Sequence, residues 1–399
     1  MKINVYAIVS SLHDDEYVKE QRENLFSSLH DLTNYEFELV NDPSKLYDGS
    51  DLSLILVESG GSENEFLKNI KYFKSPYIFL TYPHNNSLAA SLEILTYLRN
   101  NNLRGEILHG SDDYIASRIR EIVNNEIKPT KLGVIGKPSD WLISSGKVDE
   151  KALKDKFNIE LVNIDSKELL NEISKHNEDL DPSMFKAIFD YEELKKAYHI
   201  YLSLRNIVNK YDLKGFTIRC FDLLTTAKST SCLALALLND EGIIGGCEGD
   251  IPAMISMYTA LKVMHQPSFM ANPSLLDVNN SELIIAHCTI PLKMTTSYKF
   301  NTHFESNIGI GIKGELKEDD VLLFRISSDF TKYAVLKGKI EENLNRYNLC
   351  RTQIRVKIHD DITYFLKKPL GNHHIIVYGN DSTELEDYLD SLGLSKVNK

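Results

Sequence analysis

The chain of 399 residues is long enough for two or three domains, at ~150 residues per domain. Its 57 acidic residues outnumber its 45 basic residues, and the formal charge of −12 argues against nucleic acid and anionic membranes as partners. Five cysteines without a CxxC pair, no signal-peptide pattern and no apolar run of ~18 residues together predict a cytoplasmic protein without a membrane span.

Residues 1–128 are predicted to form a first α/β domain, because strand-like and helix-like patterns alternate there. The expected strands are Lys2–Val9, Tyr35–Val40, Leu52–Val57, Tyr77–Tyr82 and Gly105–Leu108, and the clearest helices are Ser87–Asn100 and Ser111–Asn125. The loops Val57–Glu63 and Tyr82–Ser87 each follow a strand, which is where open α/β sheets bind ligands.

A second α/β domain is predicted over residues 129–290, after the proline-containing segment Glu126–Thr130. Its expected strands are Lys131–Gly136, Ile159–Ile164, Gly215–Phe221, Gly242–Cys247 and Leu283–Ala286, with a long, interrupted helical stretch at Pro182–Tyr211. The turn after the first of these strands lacks the GxGxxG spacing, which argues against a nicotinamide cofactor.

Residues 291–399 are predicted to form an antiparallel β domain, possibly closed into a small barrel. Short strand-like runs separated by turn residues lie at Tyr298–Phe304, Ile308–Ile312, Val321–Ile326, Tyr333–Ile340, Arg351–Ile358 and His374–Tyr378, followed by a helix at Ser382–Ser391. The predicted fold is therefore two wound, Rossmann-like α/β domains followed by a β domain.

The segment GGCEGDIP carries the strongest chemical signal, since Glu248 and Asp250 lie between a strand and a helix that begins near Pro252. Carboxylates at the carboxyl end of a strand lie where α/β proteins bind ligands. We expect a catalytic role for both; the alternative is that Asp250 only caps the helix and Glu248 is an exposed loop residue.

Three histidines near strand ends are candidate ligands. His287 ends an apolar strand, where a structural histidine is the commoner outcome, and His373 and His374 are adjacent and point to opposite faces of an extended segment. Imidazole and carboxylate together suit a divalent cation such as Mn²⁺.

Further polar residues are candidate substrate contacts. His303 and Glu305 would share one face of a strand, or belong to its solvent-exposed polar face. Arg219 lies three residues before Asp222, so an ion pair is as reasonable as a substrate contact. The cysteines are expected to be inert core residues.

Together these segments resemble the L-fucose isomerase and L-arabinose isomerase superfamily, in its shorter fucose-isomerase-like branch. Glu248 matches the glutamate that follows a strand and opens a helix in L-fucose isomerase, and Asn372–His373 matches its A-N-H segment. The family aspartate that lies 24 residues after the glutamate is replaced here by Asn272. Arabinose isomerases carry a double histidine, which keeps His374 a competitor, and a further metal histidine that His287 resembles.

The resemblance implies an aldose–ketose isomerase that works through an enediol on a small sugar substrate with Mn²⁺. It implies Glu248 as metal ligand and acid–base, with His373, His287 and Asn272 at the metal. Because asparagine carries no charge, either Asp250 or Glu305 replaces the missing carboxylate, or the protein keeps sugar binding without catalysis. A different carbohydrate reaction through the same enediol, such as a lyase or epimerase step, is the remaining alternative. The family also implies a homo-oligomer, a trimer or a hexamer, in which the N-terminal loops complete a neighbour's site.

Overall fold

A computed structural model of the protein describes residues 1–10, 15–101, 103–123 and 129–398. The chain divides into two compact units, Met1–Pro129 and Thr130–Lys399. Most of the predicted linker Glu126–Thr130 lies outside the described residues. The further division of the second unit at residue 290 stays a prediction.

The first unit is built on a five-stranded parallel sheet in the order β2-β1-β3-β4-β5. The strands are β1 (Lys2–Ile8), β2 (Glu36–Leu39), β3 (Leu52–Val57), β4 (Tyr77–Thr81) and β5 (Gly105–Leu108), and the helices are α1 (Asp15–Thr33), α2 (Glu63–Asn69), α3 (Ser87–Asn100) and α4 (Asp112–Ile122). The predicted α/β alternation is confirmed. The end of the predicted helix Ser111–Asn125 lies outside the described residues.

The second unit begins with a four-stranded parallel sheet in the order β7-β6-β8-β9. Its strands are β6 (Thr130–Ile135), β7 (Ile159–Ile164), β8 (Gly215–Ile218) and β9 (Ile244–Gly246), and its helices are α5 (Glu150–Phe157), α6 (Ser166–Ile173), α7 (Tyr191–Tyr211), α8 (Phe221–Thr226), α9 (Cys232–Asp240) and α10 (Ile251–Met264). The break expected within Pro182–Tyr211 is confirmed, because only a short 3₁₀ turn, Pro182–Met184, precedes α7.

A sheet follows in the order β14-β17-β10-β11-β16-β15-β18, and β14 also pairs with β15. Its pairings are antiparallel except that of β18, which is parallel to β15. Its strands are β10 (Phe269–Asp277), β11 (Glu282–His287), β14 (Asp320–Ile326), β15 (Lys332–Asn343), β16 (Thr352–Ile358), β17 (His374–Tyr378) and β18 (Ser395–Lys396); β12 (Thr295–Asn301) and β13 (Gly311–Leu316) form a separate ribbon, and the remaining helices are α11 (Tyr364–Lys367) and α12 (Thr383–Ser391). The extra pairing closes six strands into a ring, so the barrel-like character of the β region is confirmed.

The strand at Leu283–Ala286 does not belong to the α/β sheet in which we expected it. It forms part of β11, which pairs antiparallel with β10 and β16. Its run of apolar residues is buried along nearly its whole length, and a barrel strand covered on both faces has the same apolar pattern as a central parallel strand. The two kinds of strand therefore cannot be distinguished by pattern alone.

Helix α10 joins the parallel sheet to the barrel within the second unit. It contacts β9 and also β14 and β17. Nine of its 14 residues are buried, and a single apolar cluster includes side chains from both sheets. The turn that leads from β9 into α10 therefore lies at the junction of the two sheets. No helix in the described part of the chain is long and apolar enough to cross a membrane.

Candidate active site

A tight turn between β9 and α10 positions Glu248. Glu248 and Gly249 both have left-handed backbone conformations, with φ of 61° and 73°. A Cβ on Gly249 would lie 2.6 Å from Pro138 Cα, so this turn requires glycine. The N–H of Ser139 donates to the Glu248 carbonyl oxygen over 2.9 Å. The backbone of Glu248 is therefore held from the loop that follows β6.

Asp250 is fully buried, and its carboxylate contacts three other residues. It caps α10 by accepting the Ala253 N–H at 3.0 Å, and it pairs with Arg325 at 3.2 Å. It also accepts a hydrogen bond from His373 Nδ1 at 2.8 Å. Burial raises the pKa of Asp250, but the Arg325 charge and the His373 hydrogen bond outweigh it, and the pKa is lowered overall. These contacts agree with the alternative in which Asp250 caps the helix. Asp250 does not line the pocket described below.

His373 points its second ring nitrogen at Glu248. Its Nε2 lies 3.5 Å from Glu248 Oε1 and, although buried, has no hydrogen-bond partner among the described residues. Burial lowers the pKa of His373, yet the hydrogen bond to Asp250 and the negative charges of Asp250 and Glu248 raise it to about 9. At Glu248 burial raises the pKa, but the contact with His373, the charge of His287 and the hydrogen bond from Trp141 outweigh it and lower the pKa to about 2.

His287, at the end of β11, completes a three-residue group. Its Nδ1 hydrogen-bonds to Thr289 Oγ1 over 2.9 Å, and its ring lies 5.5 Å from that of His373. Burial lowers its pKa to about 3, so it is a neutral imidazole at physiological pH. One ligand atom from each of Glu248, His287 and His373 can be chosen so that all three lie within 4.8 Å of one another. This donor set and the unpartnered Nε2 fit a divalent transition-metal ion.

Two predicted contacts lie away from this group. His374 is buried on the other side of the strand, where its Nε2 and Nδ1 are held by Tyr364 Oη and the Asn372 carbonyl, each at 3.0 Å. Arg219 pairs with Asp222 at 3.1 Å and with Asp140 at 2.8 Å, which is the ion-pair alternative for that residue. Neither side chain lines the pocket beside Glu248.

A pocket opens beside Glu248 and His287, and ten further residues of its lining carry a polar group or a thiol. It is lined by Cys220, Phe221, Leu224, Thr230, Ser231, Cys232, Cys247, Glu248, Asn272, His287, Cys288, His303, Glu305 and Cys350. Asn272 is present, but its Oδ1 accepts a hydrogen bond from Asn372 at 2.8 Å. The pocket therefore gathers most of the side chains that the sequence singled out.

His303 and Glu305 reach the pocket from a turn, whereas we expected them on a strand. The strand β12 ends at Asn301, and a turn follows over residues 304–306. Burial lowers the pKa of His303, and burial together with the charge of Glu248 raises that of Glu305. The polar, turn-forming sequence THFESN explains the difference, since Asn and Ser favour turns over strand interiors.

Sequence reasoning missed two residues that hold the group in place. Trp141, the only tryptophan, donates its Nε1–H to Glu248 Oε2 over 2.6 Å and packs edge-on against Phe221. Arg325 is fully buried within the apolar strand β14. A charged residue inside an apolar strand is a usable signal, because buried charges are almost always paired. The sequence around Trp141 offers no comparable signal.

All five cysteines line this one pocket, so the expectation of inert core residues is incomplete. They are free thiols, and four of them are buried. The Sγ atoms of Cys220 and Cys247 lie 3.0 Å apart at the ends of the neighbouring strands β8 and β9. Their clustering follows from the fold and could not be read from their spacing in the sequence.

The fold and the site are those of an α/β enzyme with a buried carboxylate–histidine group beside a pocket, and comparisons with known proteins give its class. No family model matches the chain. It is 21% identical over 332 residues to a sulfoquinovose isomerase of Alkalicoccus urumqiensis, covering 76% of this chain and 74% of the relative. It is 23% identical over 277 residues to one of Clostridium sp. (strain MSTE9), covering 62% and 60%. It is 21% identical over 373 residues to one of Priestia megaterium, covering 84% and 83%.

These likenesses identify the protein as an isomerase. The names of these relatives support a sugar isomerase as the class of enzyme, without a particular sugar. The resemblance to the fucose and arabinose isomerase superfamily stays a prediction, as do the roles of individual site residues.

Proposed function

We propose that the protein is a metal-dependent aldose–ketose isomerase whose divalent ion is held by Glu248, His287 and His373. The observation that carries this proposal is the buried Nε2 of His373, which has no hydrogen-bond partner among the described residues and lies 3.5 Å from a Glu248 oxygen. A buried nitrogen without a partner is costly unless a ligand occupies it. The proximity of His287 and the sugar isomerases among the relatives support the same function.

Asp250 acts as a positioning residue in this proposal. Its carboxylate accepts the Nδ1–H of His373, which fixes the tautomer that presents Nε2 to the ion. Arg325 and the start of α10 hold Asp250 in turn. Trp141 holds the second oxygen of Glu248. When bound, the ion supplies Lewis-acid stabilisation of the negative charge that develops on the sugar oxygens.

In this proposal His287 takes the third ligand position, in place of the family aspartate that Asn272 replaces. Neither Asp250 nor Glu305 belongs to the group of ligand atoms, whereas His287 does. We keep Mn²⁺ as the proposed ion. Because two imidazoles and one carboxylate also suit Fe²⁺, Co²⁺ and Zn²⁺, the metal assay must include those ions.

We assign the proton transfer between C2 and C1 of the sugar to Glu305 rather than to Glu248 or Asp250. Glu305 is the other carboxylate that lines the pocket, and its pKa is raised by burial and by Glu248. A raised carboxyl pKa brings the group nearer to the working pH, which favours general acid–base catalysis. Glu248 is committed to the ion and to Trp141.

The first substrate to test is sulfoquinovose, a sugar that carries a sulfonate, because the relatives are sulfoquinovose isomerases. Unsubstituted aldohexoses, deoxyhexoses and pentoses complete the panel. Products are identified by NMR, which separates a ketose from a C2 epimer. The expected homo-oligomer is tested separately by light scattering.

The metal site is tested on the purified protein by tryptophan fluorescence. Because Trp141 is the only tryptophan and bonds to Glu248, binding of Mn²⁺ or Co²⁺ should change its emission. Glu248→Gln should abolish the change, and Glu160→Gln, an exposed carboxylate of β7, should not. Glu305→Gln should leave metal binding intact and lower kcat. Absence of both metal binding and ketose formation across the panels would refute the proposed function.

A further inference from the structure

The first turn of α9 is buried against the pocket without a cap. Ser231 is the N-cap residue, but its side chain accepts no hydrogen bond from the helix. Ser231, Leu233 and Ala234 are completely buried, and Cys232 is 5% exposed. In the described part of the chain, no backbone or side-chain acceptor meets the N–H groups of residues 232–234. Such a buried helix start needs a partner for these donors.

Two hydroxyl groups in the same loop are also buried. Ser229 and Ser231 are completely buried, and their Oγ atoms have no hydrogen-bond partner in the part of the chain that the structure describes. Between them, Thr230 is tied to the backbone of Ile310, donating to its carbonyl at 2.6 Å and accepting its N–H at 2.9 Å. The loop is thus held rigidly, and Ser231 lines the pocket that contains Glu248.

The chemistry of this corner favours an anion. Free N–H groups at a helix start and the positive end of the helix dipole attract negatively charged oxygens, and a serine hydroxyl adds one more donor. The other titratable groups that line the pocket include the carboxylates of Glu248 and Glu305. An anionic group is therefore favoured at the α9 end of the pocket and disfavoured near those two side chains.

We propose that the start of α9, with Ser231, binds a tetrahedral oxyanion carried by the sugar, a sulfonate or a phosphate on the carbon far from the reacting pair. This inference rests on the proposed function, because it uses the same pocket. It assigns substrate selection to residues 231–234, which lie outside the Glu248, His287 and His373 group.

The test compares binding of three sugars that differ at C6: sulfoquinovose, glucose 6-phosphate and glucose. Affinity is measured by calorimetry on metal-loaded protein, so turnover is not needed. Ser231→Asp places a negative charge at the anion position, and circular dichroism checks its fold because Ser231 is completely buried. Ser231→Ala, which removes the hydroxyl without adding a charge, is the second variant and should change the affinities in the same direction. Ser231→Asp should weaken binding of the better anionic sugar by about 10-fold or more, as expected for a lost hydrogen bond to a charged group. Glucose binding should change little.

A matched control is Ser111→Asp, the same change at the start of α4, where the serine already accepts the Tyr114 N–H. It should leave all three affinities unchanged. The two anionic sugars distinguish a sulfonate site from a phosphate site. If both bind no more tightly than glucose, or if Ser231→Asp binds them as tightly as the unmodified protein, the inference is wrong. Tight binding that is lost in Ser231→Asp, without any ketose formation, would support the inference while refuting the proposed isomerisation.

Discussion

Replacing Asp250 with Asn removes one negative charge from the most buried part of the site. Arg325 is fully buried, and its other recorded partners are neutral groups, namely Ser145 Oγ and the carbonyl oxygens of Leu370 and His373. Asp250→Asn therefore leaves the Arg325 guanidinium without a counter-charge. Breaking one side of a buried ion pair costs about 3–5 kcal/mol, and we expect the free energy of unfolding of the second unit to fall by that amount.

The helix cap separates two contributions to this loss. Asparagine caps helices as well as aspartate does, so Asp250→Asn keeps the bond to the Ala253 N–H. Asp250→Ala loses the cap as well and should cost about 1 kcal/mol more. Because Asp250 also holds the His373 Nδ1–H, both variants should bind metal about 10- to 100-fold more weakly.

Urea unfolding followed by circular dichroism and by Trp141 emission measures these losses, since the only tryptophan belongs to the second unit. Arg325→Met alone should be about as costly as Asp250→Asn. The double variant should cost clearly less than the sum of the two, because the residues contact each other. A loss below about 1 kcal/mol for Asp250→Asn, or additive losses in the double variant, would refute the reasoning, since breaking a buried pair should cost several times more.

Two further substitutions test the surroundings of the site. His374→Ala removes a buried ring with two hydrogen bonds and should cost about 2–4 kcal/mol of stability while leaving metal affinity unchanged. His373→Ala should abolish metal binding. An equal loss of metal affinity in both variants would count against the assignment of the two histidines to opposite faces of the strand. Gly371→Ala should destabilise strongly, because its φ is 147° and the new Cβ would lie 2.4 Å from an Arg325 nitrogen. An unchanged melting temperature for Gly371→Ala would contradict that contact.

The α/β part of the fold could be predicted because local patterns determine it. The strand Leu52–Val57 and the helix Ser87–Asn100 have the bounds expected from the sequence. The barrel was harder to predict. Strand β10 was missed because Pro273 and Ser274 interrupt its apolar pattern, and the pairing with β11 shifts register there. A break of this kind can be recognised as part of a strand only when the neighbouring strands of the sheet are known.

The candidate site could be predicted for residues whose chemical type and position relative to a predicted strand or helix point to the same role. Glu248 drew attention because it lies between a strand and a helix, and His373 because of the family resemblance. The orientation of His373 toward Glu248, and of His374 away from it, depends on the register of β17 in the barrel. Trp141 and Arg325 depend on contacts between segments more than 70 residues apart, which periodicity does not report.

The convergence of every thiol of the chain on one pocket makes chemical labelling a direct measure of its accessibility. A bound sugar should shield Cys350, the thiol of the five that is not buried, from an alkylating reagent, so that intact mass counts occupied and empty protein in one spectrum. The same arrangement means that purification without a reductant exposes the pocket to oxidation at Cys220 and Cys247, whose sulfur atoms are 3.0 Å apart. The activity measured for a preparation would then depend on whether a reductant was present during purification.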